Sequence, residues 1–221
     1  MRLQKIIKNI FRVDDRVIKN FHKLYYDSLD RTWNNTYWFS IPVEKCPLDL
    51  WVYQEIVCKL RPDIIIETGT AQGGSALFLA SLCDLSGKGR VISIDIIEKA
   101  NRPAHNRLTY LLGSSISDGI TANLREAIKG SGTIMVILDS DHRKEHVLNE
   151  LRIYSEFVTK GSYLIVEDTN VNGHPVSPNY GAGPMEAVRE FLKERRDFII
   201  DRTREKFYLT FNPDGYLKRI G

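Results

Sequence analysis

The stretch that decides the fold is Ile64-Ile-Ile-Glu67-Thr-Gly69-Thr-Ala-Gln-Gly73-Gly74-Ser75. It contains a β-branched run, an acidic residue, a glycine-rich turn and a serine that can cap a following helix. A strand, a tight turn and a helix in this order place the turn at the carboxyl end of a parallel strand, where open α/β sheets bind their ligands. The pattern therefore predicts a ligand-binding turn.

The spacing of the glycines separates three kinds of nucleotide-binding turn. A phosphate-binding loop needs a lysine after its last glycine, but Ser75 follows Gly74, so hydrolysis of nucleoside triphosphates is disfavoured. The dinucleotide fingerprint needs a glycine where Ala71 stands, which leaves hydride transfer as a secondary alternative. The remaining pattern, E-x-G-x-x-x-G-G, lets the backbone approach an uncharged part of a ligand.

This last pattern resembles the first motif of class I S-adenosylmethionine-dependent methyltransferases. The resemblance implies that the turn holds the methionine part of the donor, and that Asp95, at the end of the second strand, accepts hydrogen bonds from the ribose hydroxyls. Capping a helix is the alternative role of Asp95. The loop at residues 113–115 is a candidate adenine site or an ordinary turn. The predicted donor-binding residues are Glu67, Gly69, Thr70, Gly73, Gly74, Ser75, Asp95, Gly113, Ser114, Ser115 and Asp139.

From residue 47 onward, short β-branched runs alternate with segments of helical periodicity. This alternation predicts a doubly wound, Rossmann-like α/β fold with a mostly parallel sheet. The predicted strands are Asp63–Glu67, Val91–Ile94, Leu108–Leu112, Ile134–Leu138 and Tyr163–Val166, and the predicted helices are Leu48–Leu60, Ser75–Leu85, Ile116–Lys129, Lys144–Phe157 and Met185–Arg195. Phe198–Asp201 and Phe207–Phe211 flank a polar turn and are expected to form an antiparallel hairpin. We therefore expect a domain at residues 47–221, with residues 1–46 as an appendage.

Carboxylates follow the fourth and fifth predicted strands. Leu138-Asp139-Ser140-Asp141-His142 ends one strand, and Val166-Glu167-Asp168 ends the next. These groups are expected to lie close together, because the carboxyl ends of parallel strands meet at one edge of a sheet. Like charges raise one another's pKa unless a cation compensates, and Mg²⁺ is the cation that carboxylate oxygens bind best while positions stay open for substrate. Zn²⁺ is disfavoured because no His or Cys pair has chelating spacing. The alternative is that these acids only cap helices and face solvent.

Several linked strings between Tyr37 and Leu217 resemble the cephalosporin hydroxylase family, also called rhamnosyl O-methyltransferases, whose members are metal-dependent O-methyltransferases. The strings are Pro47-Leu-Asp-Leu-Trp-Val-Tyr-Gln-Glu55, Ile66-Glu-Thr-Gly-Thr-Ala-Gln-Gly-Gly-Ser75, Leu138-Asp-Ser-Asp-His142, Gly161-Ser-Tyr-Leu-Ile-Val-Glu-Asp-Thr169, Gly181-Ala-Gly-Pro-Met-Glu-Ala-Val188 and Phe207-Tyr-Leu-Thr-Phe-Asn-Pro213. The resemblance implies S-adenosyl-L-methionine as methyl donor and Mg²⁺ held by Asp141, Glu167 and Asp168. Asp139 is the alternative first ligand, because related sugar methyltransferases have an Asp-x-x-His pattern.

The transfer of a methyl group to a hydroxyl also requires a base. His142 is the leading candidate because a neutral imidazole is available near pH 7, and Lys144 is the second candidate. The expected acceptor is a hydroxylated small molecule, such as a sugar or another natural product. A metal-dependent oxygenase is an alternative, disfavoured because no two-His-one-carboxylate triad is evident. A nucleic-acid methyltransferase is a further alternative, which would need a strongly basic groove and stacking aromatic residues.

Composition and the N-terminus set the remaining expectations. A net charge of +3 over 221 residues is too small to imply a nucleic-acid partner, and no apolar run is long enough for a membrane span. The absence of a secretion signal predicts a cytoplasmic location, and Cys46, Cys58 and Cys83 are expected to be buried free thiols. Residues 3–24 have apolar side chains at helical spacing, so we expect an amphipathic helix that docks on the core or on a second subunit of a homo-oligomer. The seven Lys or Arg residues among residues 1–24 leave contact with a membrane surface as an alternative.

Overall fold

The computed structural model describes residues 15–221, so the first part of the predicted N-terminal helix lies outside the described residues. Residues 15–26 form helix α1, which is followed by a short 3₁₀ turn at Thr32–Asn35 and by two paired antiparallel strands, β1 (Tyr37–Trp38) and β2 (Ile41–Pro42). This pair rests on the glycine-rich turn. A Cβ at Gly74 would lie 2.1 Å from the carbonyl oxygen of Pro42, so only glycine allows this contact.

The main sheet has seven strands in the order β5-β4-β3-β6-β7-β9-β8. The elements that build it, in chain order, are α2 (Pro47–Leu60), β3 (Ile64–Thr68), α3 (Gly74–Leu85), β4 (Arg90–Asp95), β5 (Leu108–Leu112), α4 (Asp118–Ala127), β6 (Ile134–Leu138), α5 (Lys144–Tyr154), β7 (Tyr163–Val166), α6 (Pro184–Glu194), β8 (Phe198–Ile200) and β9 (Tyr216–Arg219). Strands β3 to β7 are parallel, and β9 is antiparallel to both of its neighbours. The doubly wound α/β prediction is thereby confirmed.

Both faces of the sheet are buried, which explains the unbroken apolar runs of the central strands. Ile64 and Ile66 of β3 pack in the cluster under α4, α5 and α6, whereas Ile65 packs with α2 and α3 on the opposite face. The chain runs from β3 outward to β4 and β5 and then returns to β6 on the other side of β3. The loops after β3 and β6 therefore diverge at a topological switch point, where such sheets bind ligands.

The predicted C-terminal hairpin was wrong in its second strand. Strand β8 pairs with β9, which lies between β7 and β8, and Phe207–Phe211 is not a strand. The buried carboxylate of Asp49 accepts hydrogen bonds from the amide of Phe211 at 2.8 Å and from the hydroxyl of Thr210 at 2.6 Å. This segment therefore bonds to a side chain of α2 instead of joining the sheet, a long-range partner that local hydrophobicity does not reveal.

Three other expectations were tested in part by the fold. The three cysteines are free, but Cys58 is exposed whereas Cys46 and Cys83 are buried. Among the helices within residues 15–221, none is both long and apolar enough to cross a membrane. On α1, the predicted apolar residues Val17, Phe21 and Leu24 are exposed, and the side turned to the domain carries His22. A homo-oligomer contact through this helix remains a prediction.

The burial of His22 predicts how the free energy of unfolding depends on pH. Its ring is 4% exposed and stacks on Phe211 with centroids 5.7 Å apart, and burial lowers its pKa from 6.5 to about 4. Below pH 6.5 the unfolded chain takes up a proton that the folded chain still excludes, so stability falls as the pH drops toward 4. We expect the wild type to lose about 2 kcal/mol more unfolding free energy between pH 7 and pH 5 than His22→Gln does, as measured by urea unfolding. Equal losses in both proteins would contradict the burial of a neutral His22.

Candidate active site

A cavity of about 660 Å³ opens at the carboxyl ends of β3, β4 and β6. Its volume is in the range of small-molecule sites. Residues of the glycine-rich turn, of the loops after β4, β5 and β6, and of the N-terminal segment line the cavity; they include Tyr26, Trp33, Glu44, Gly69, Ala71, Ser75, Asp95, Ile96, Ile97, Gly113, Ser114, Ser115, Asp139, Asp141, His142 and Asp168. Among the predicted donor-binding residues, Glu67, Thr70, Gly73 and Gly74 are not part of this lining.

Glycine is required where the β3 and β6 loops meet. Gly69 has a φ of +83°, and a Cβ there would lie 1.8 Å from the carbonyl oxygen of Asp139. A side chain at this position would push the β6 loop away and would also strain the backbone. The glycine-rich turn, which lines one part of the cavity, is therefore packed directly against Asp139, the first acidic residue of the β6 loop.

Asp95 ties the glycine-rich turn to the end of β4. Its Oδ2 accepts hydrogen bonds from the amides of Thr70 at 3.2 Å and Ala71 at 3.0 Å, and from the guanidinium of Arg102 at 2.7 Å. Its Oδ1 accepts one from the amide of Ile97 at 2.9 Å. A carboxylate oxygen has about two acceptor sites, so Oδ1 keeps capacity for a hydroxyl of a ligand in the cavity.

Glu67 is fully buried at the end of β3. Its Oε2 accepts a hydrogen bond from the hydroxyl of Ser93 at 2.7 Å, whereas its Oε1 has no hydrogen-bond partner among residues 15–221. Burial raises the pKa of Glu67, although Lys45 and two serine hydroxyls act in the opposite direction. Glu67 is thereby linked to the glycine-rich turn, because the hydroxyl of Ser93 is also hydrogen-bonded to the hydroxyl of Thr70 at 2.7 Å.

The loops after β6 and β7 bring Asp139, His142 and Asp168 together. One potential ligand atom from each of these residues lies within 4.8 Å of the other two. The His142 Nε2 is 3.2 Å from Asp139 Oδ1 and 3.3 Å from Asp168 Oδ2. Asp168 has a φ of +53°, an unusual conformation for a residue other than glycine, and its amide donates to the side-chain oxygen of Asn212 at 3.1 Å. The backbone is thus held so that Asp168 reaches the cluster.

Lys45 and Tyr53 complete the cluster on its buried side. The ammonium of Lys45 bonds to Asp139 Oδ2 and, at 2.6 Å, to Glu167 Oε1, which also accepts from the hydroxyl of Tyr53 at 2.7 Å. Neither Lys45 nor Tyr53 is among the site residues predicted from the sequence. Lys45 belongs to the short segment before α2 and carries no motif of its own, although Tyr53 lies within a string that resembles the family. Only the folded chain reveals that Lys45 meets the carboxylates.

The charges in the cluster shift one another's pKa values. Burial raises the pKa of Asp139, but the positive charges of Lys45 and His142 more than offset this, so the pKa lies below its usual range. Burial and the negative charge of Asp139 raise the pKa of Glu167 to about 8, despite Lys45. Burial lowers the pKa of His142, but Asp168 and Asp139 outweigh it and raise the value to about 9. The carboxylates of the cluster therefore strongly stabilise positive charge placed beside them.

Two predicted residues lie apart from the cluster. The carboxylate of Asp141 is paired with the guanidinium of Arg143 and bonds to the Arg143 amide at 2.9 Å, and this pairing lowers its pKa to about 2. The ammonium of Lys144 is 2.7 Å from Glu190 on α6 and is not part of the cavity lining. The structure thus brings Asp139, Glu167, Asp168 and His142 together, and it does not bring Asp141 or Lys144 among them.

The sequence is similar to proteins of one known family. The sequence profile of the Rhamnosyl O-methyltransferase/CmcI family matches residues 30–220. A rhamnosyl O-methyltransferase of Mycobacterium leprae (strain TN) is 40% identical over 217 residues, which are 95% of this chain and 93% of that protein. Its counterpart in Mycobacterium tuberculosis (strain ATCC 25618 / H37Rv) is 39% identical over 216 residues, 95% of this chain and 87% of that protein.

The fold is also similar to solved structures. A CmcI structure with magnesium and S-adenosylmethionine superposes with a TM-score of 0.65 at 21% identity, covering 85% of this chain and 78% of that one. The O-methyltransferase TomG from Streptomyces achromogenes, in complex with S-adenosylmethionine, superposes with a TM-score of 0.55 at 16% identity, covering 92% of this chain and 90% of that one. At these identities the similarity shows a shared fold.

Proposed function

Because the chain belongs to the Rhamnosyl O-methyltransferase/CmcI family, we propose that it transfers the methyl group of S-adenosylmethionine, with the help of Mg²⁺, to a hydroxyl of a sugar or a sugar-containing small molecule. One observation carries this proposal: Asp139, Asp168 and His142 lie in the wall of the same cavity as Asp95 and the glycine-rich turn. A single ligand-sized space thus joins a candidate donor site to a candidate metal and proton-transfer site.

The cavity wall fits S-adenosylmethionine part by part. Gly69 and Ala71 leave room for the methionine part, and Asp95 Oδ1 accepts a ribose hydroxyl. The exposed side chains of Ile96 and Ile97 and the loop at residues 113–115 offer apolar surface and polar groups to the adenine. The names of the CmcI and TomG complexes support this donor.

The acidic cluster fits a small, hard cation. We assign Asp139, Glu167 and Asp168 as the residues that would hold Mg²⁺, because Asp139 and Asp168 lie in one cluster with His142 and Glu167 is joined to Asp139 through Lys45. The initially predicted Asp141 lies outside this cluster, where it pairs with Arg143. When bound, Mg²⁺ would orient the acceptor hydroxyl and lower its pKa. A metal-dependent oxygenase is disfavoured, since the cluster found within residues 15–221 contains one histidine rather than two.

His142 is the residue placed to take the proton from the acceptor. Its Nε2 points between Asp139 and Asp168, and its side chain is part of the cavity lining. Asp168 and Asp139 orient the imidazole and raise its pKa to about 9, so His142 is protonated near pH 7 while these charges are not balanced. Bound Mg²⁺ would offset the two carboxylates and lower this pKa, which would leave a neutral imidazole that can accept the proton. The leaving sulfide needs no proton, so one base is sufficient for this reaction.

The acceptor side of the cavity includes aromatic rings. Tyr26 and Trp33 stack with centroids 5.4 Å apart, and both line the cavity. Aromatic faces provide rigid apolar surface against which the C–H face of a sugar can pack. Together with the names of the mycobacterial relatives, this supports a rhamnose-containing acceptor.

The function is tested by incubating the protein with isotope-labelled S-adenosylmethionine, Mg²⁺ and simple rhamnosides, followed by mass spectrometry of the products. We expect methylated rhamnoside to accumulate with Mg²⁺ and to be lost with a chelator. Product formed equally well with the chelator would contradict the metal assignment. Nucleic acid as the preferred methyl acceptor would contradict the substrate class.

Asp95 provides a test of the donor site. Asp95→Ala removes the acceptor for the ribose hydroxyls, so we expect the affinity for S-adenosylhomocysteine to fall by about 5- to 150-fold, the equivalent of about 1 to 3 kcal/mol. Isothermal titration calorimetry measures the change. Asp84→Ala is the control, because Asp84 pairs with Arg107 and is not part of the cavity lining. Unchanged affinity in Asp95→Ala would remove Asp95 from the donor site.

A further inference from the structure

Lys45 is the most deeply buried cation of the acidic cluster. Its side chain is 3% exposed, and its ammonium bridges two carboxylates that come from different strands of the sheet, Asp139 after β6 and Glu167 after β7. Lysine is almost never buried to this degree unless it is paired. The segment that carries it connects β2 to α2, so a residue before the main domain contributes to the centre of the site.

The arrangement of the oxygens separates the role of Lys45 from that of His142. Lys45 bonds to Oδ2 of Asp139, whereas His142 lies near Oδ1 of Asp139 and near Asp168. The three potential ligand atoms that cluster together belong to Asp139, His142 and Asp168. The ammonium therefore occupies the buried side of Asp139, and the Oδ1 side, which faces Asp168 and His142, is the side that would hold a metal ion.

A charge count shows why the cluster needs this lysine. Three carboxylates meet here, and the ion pairs that the structure describes for them are with Lys45 and His142. Without a fixed cation, Asp139 and Glu167 would repel each other in a medium of low dielectric constant, or one of them would have to take up a proton. A fixed cation beside the ligands also repels a divalent ion, so it weakens metal binding while it stabilises the metal-free protein.

We propose that Lys45 is a built-in counter-cation of the metal site, which holds Asp139 and Glu167 together without metal and lowers the affinity of the site for Mg²⁺. This inference rests on the proposed function, because it assumes that the carboxylates bind a metal. It assigns Lys45 a role distinct from that of a proton-transfer residue. Lys45 keeps the empty site folded and keeps the bound ion exchangeable.

The test compares melting temperatures and Mg²⁺ affinities of the wild type, Lys45→Met and Lys45→Gln. With a chelator present, the melting temperature of both variants should be about 10 °C below that of the wild type, because two buried carboxylates lose their cation. Saturating Mg²⁺ should raise the melting temperature of the variants more than that of the wild type. By calorimetry, Mg²⁺ should bind the variants about tenfold more tightly. Lys206→Met is the matched control, since Lys206 forms its ion pair with Glu55 at the surface and should change neither quantity.

The outcomes separate this inference from the proposed function. Variants that lose the same stability with and without Mg²⁺ would show that Lys45 only anchors the β2–α2 connection. Weaker Mg²⁺ binding by the variants would show that the metal needs Lys45. Either result overturns the inference and leaves the proposed function in place. A wild type that shows no response to Mg²⁺ would overturn both. Binding of S-adenosylhomocysteine, expected to match the wild type, reports that each variant is folded.

Discussion

Asp139→Asn is expected to lower kcat by about 10³-fold or more, whereas Asp141→Asn is expected to keep kcat within about threefold of the wild type. Asp139 lies in the cluster with His142 and Asp168, and its loss removes a ligand and part of the charge that would hold Mg²⁺. Asp141 has its charge balanced by Arg143 outside the cluster. A metal ion supplies several kcal/mol of transition-state stabilisation, which corresponds to this factor.

The pair of variants is measured by initial rates at saturating donor and by Mg²⁺ titration. Both residues lie on the same loop and change by one atom, so each controls for the local effect of the other. A larger loss in Asp141→Asn would mean that the loop rearranges when metal binds and would restore the ligand set first predicted from the sequence.

His142→Ala is expected to lower kcat by about 10²- to 10⁴-fold while donor affinity stays nearly unchanged. This is the range for the loss of a general base, and the His142 ring lies between two carboxylates in the cavity wall. Rapid-quench turnover gives the rate of transfer, and titration with S-adenosylhomocysteine gives the donor affinity.

Lys144→Ala is the matched control for the base, because it removes a nearby titratable side chain whose ammonium is occupied by Glu190. Its kcat should stay close to that of the wild type. A dead Lys144→Ala protein beside an active His142→Ala protein would move the base to the lysine. If both variants keep their activity, solvent takes the proton.

The features that sequence predicted correctly depend on short-range rules. The buried runs such as Ile64–Ile66 identify central parallel strands because both faces of those strands need apolar residues. The glycines after β3 mark a turn that approaches its neighbours closely, as the contact between Gly69 and Asp139 shows. Asp139, Glu167 and Asp168 follow adjacent parallel strands, and strands of that kind end at one edge. Family membership, expected from linked strings along these elements, was confirmed.

What only the tertiary structure decided involves partners that are distant in the chain. The sequence pattern favoured Asp141 over Asp139 as the first metal ligand, but in the fold Asp141 pairs with Arg143 outside the cluster, whereas Asp139 pairs with Lys45, 94 residues before it. Asp49 is also distant in the chain from Phe211, and the hydrogen bond from the Phe211 amide to its carboxylate keeps this segment out of the predicted hairpin. Periodicity and turn chemistry determine which elements form and at which edge their polar ends meet. The pairing of buried charges depends on which side chains the folded chain brings within a few ångströms of one another. Once water is excluded there, the interaction with a single counter-charge is strong enough to decide the pairing.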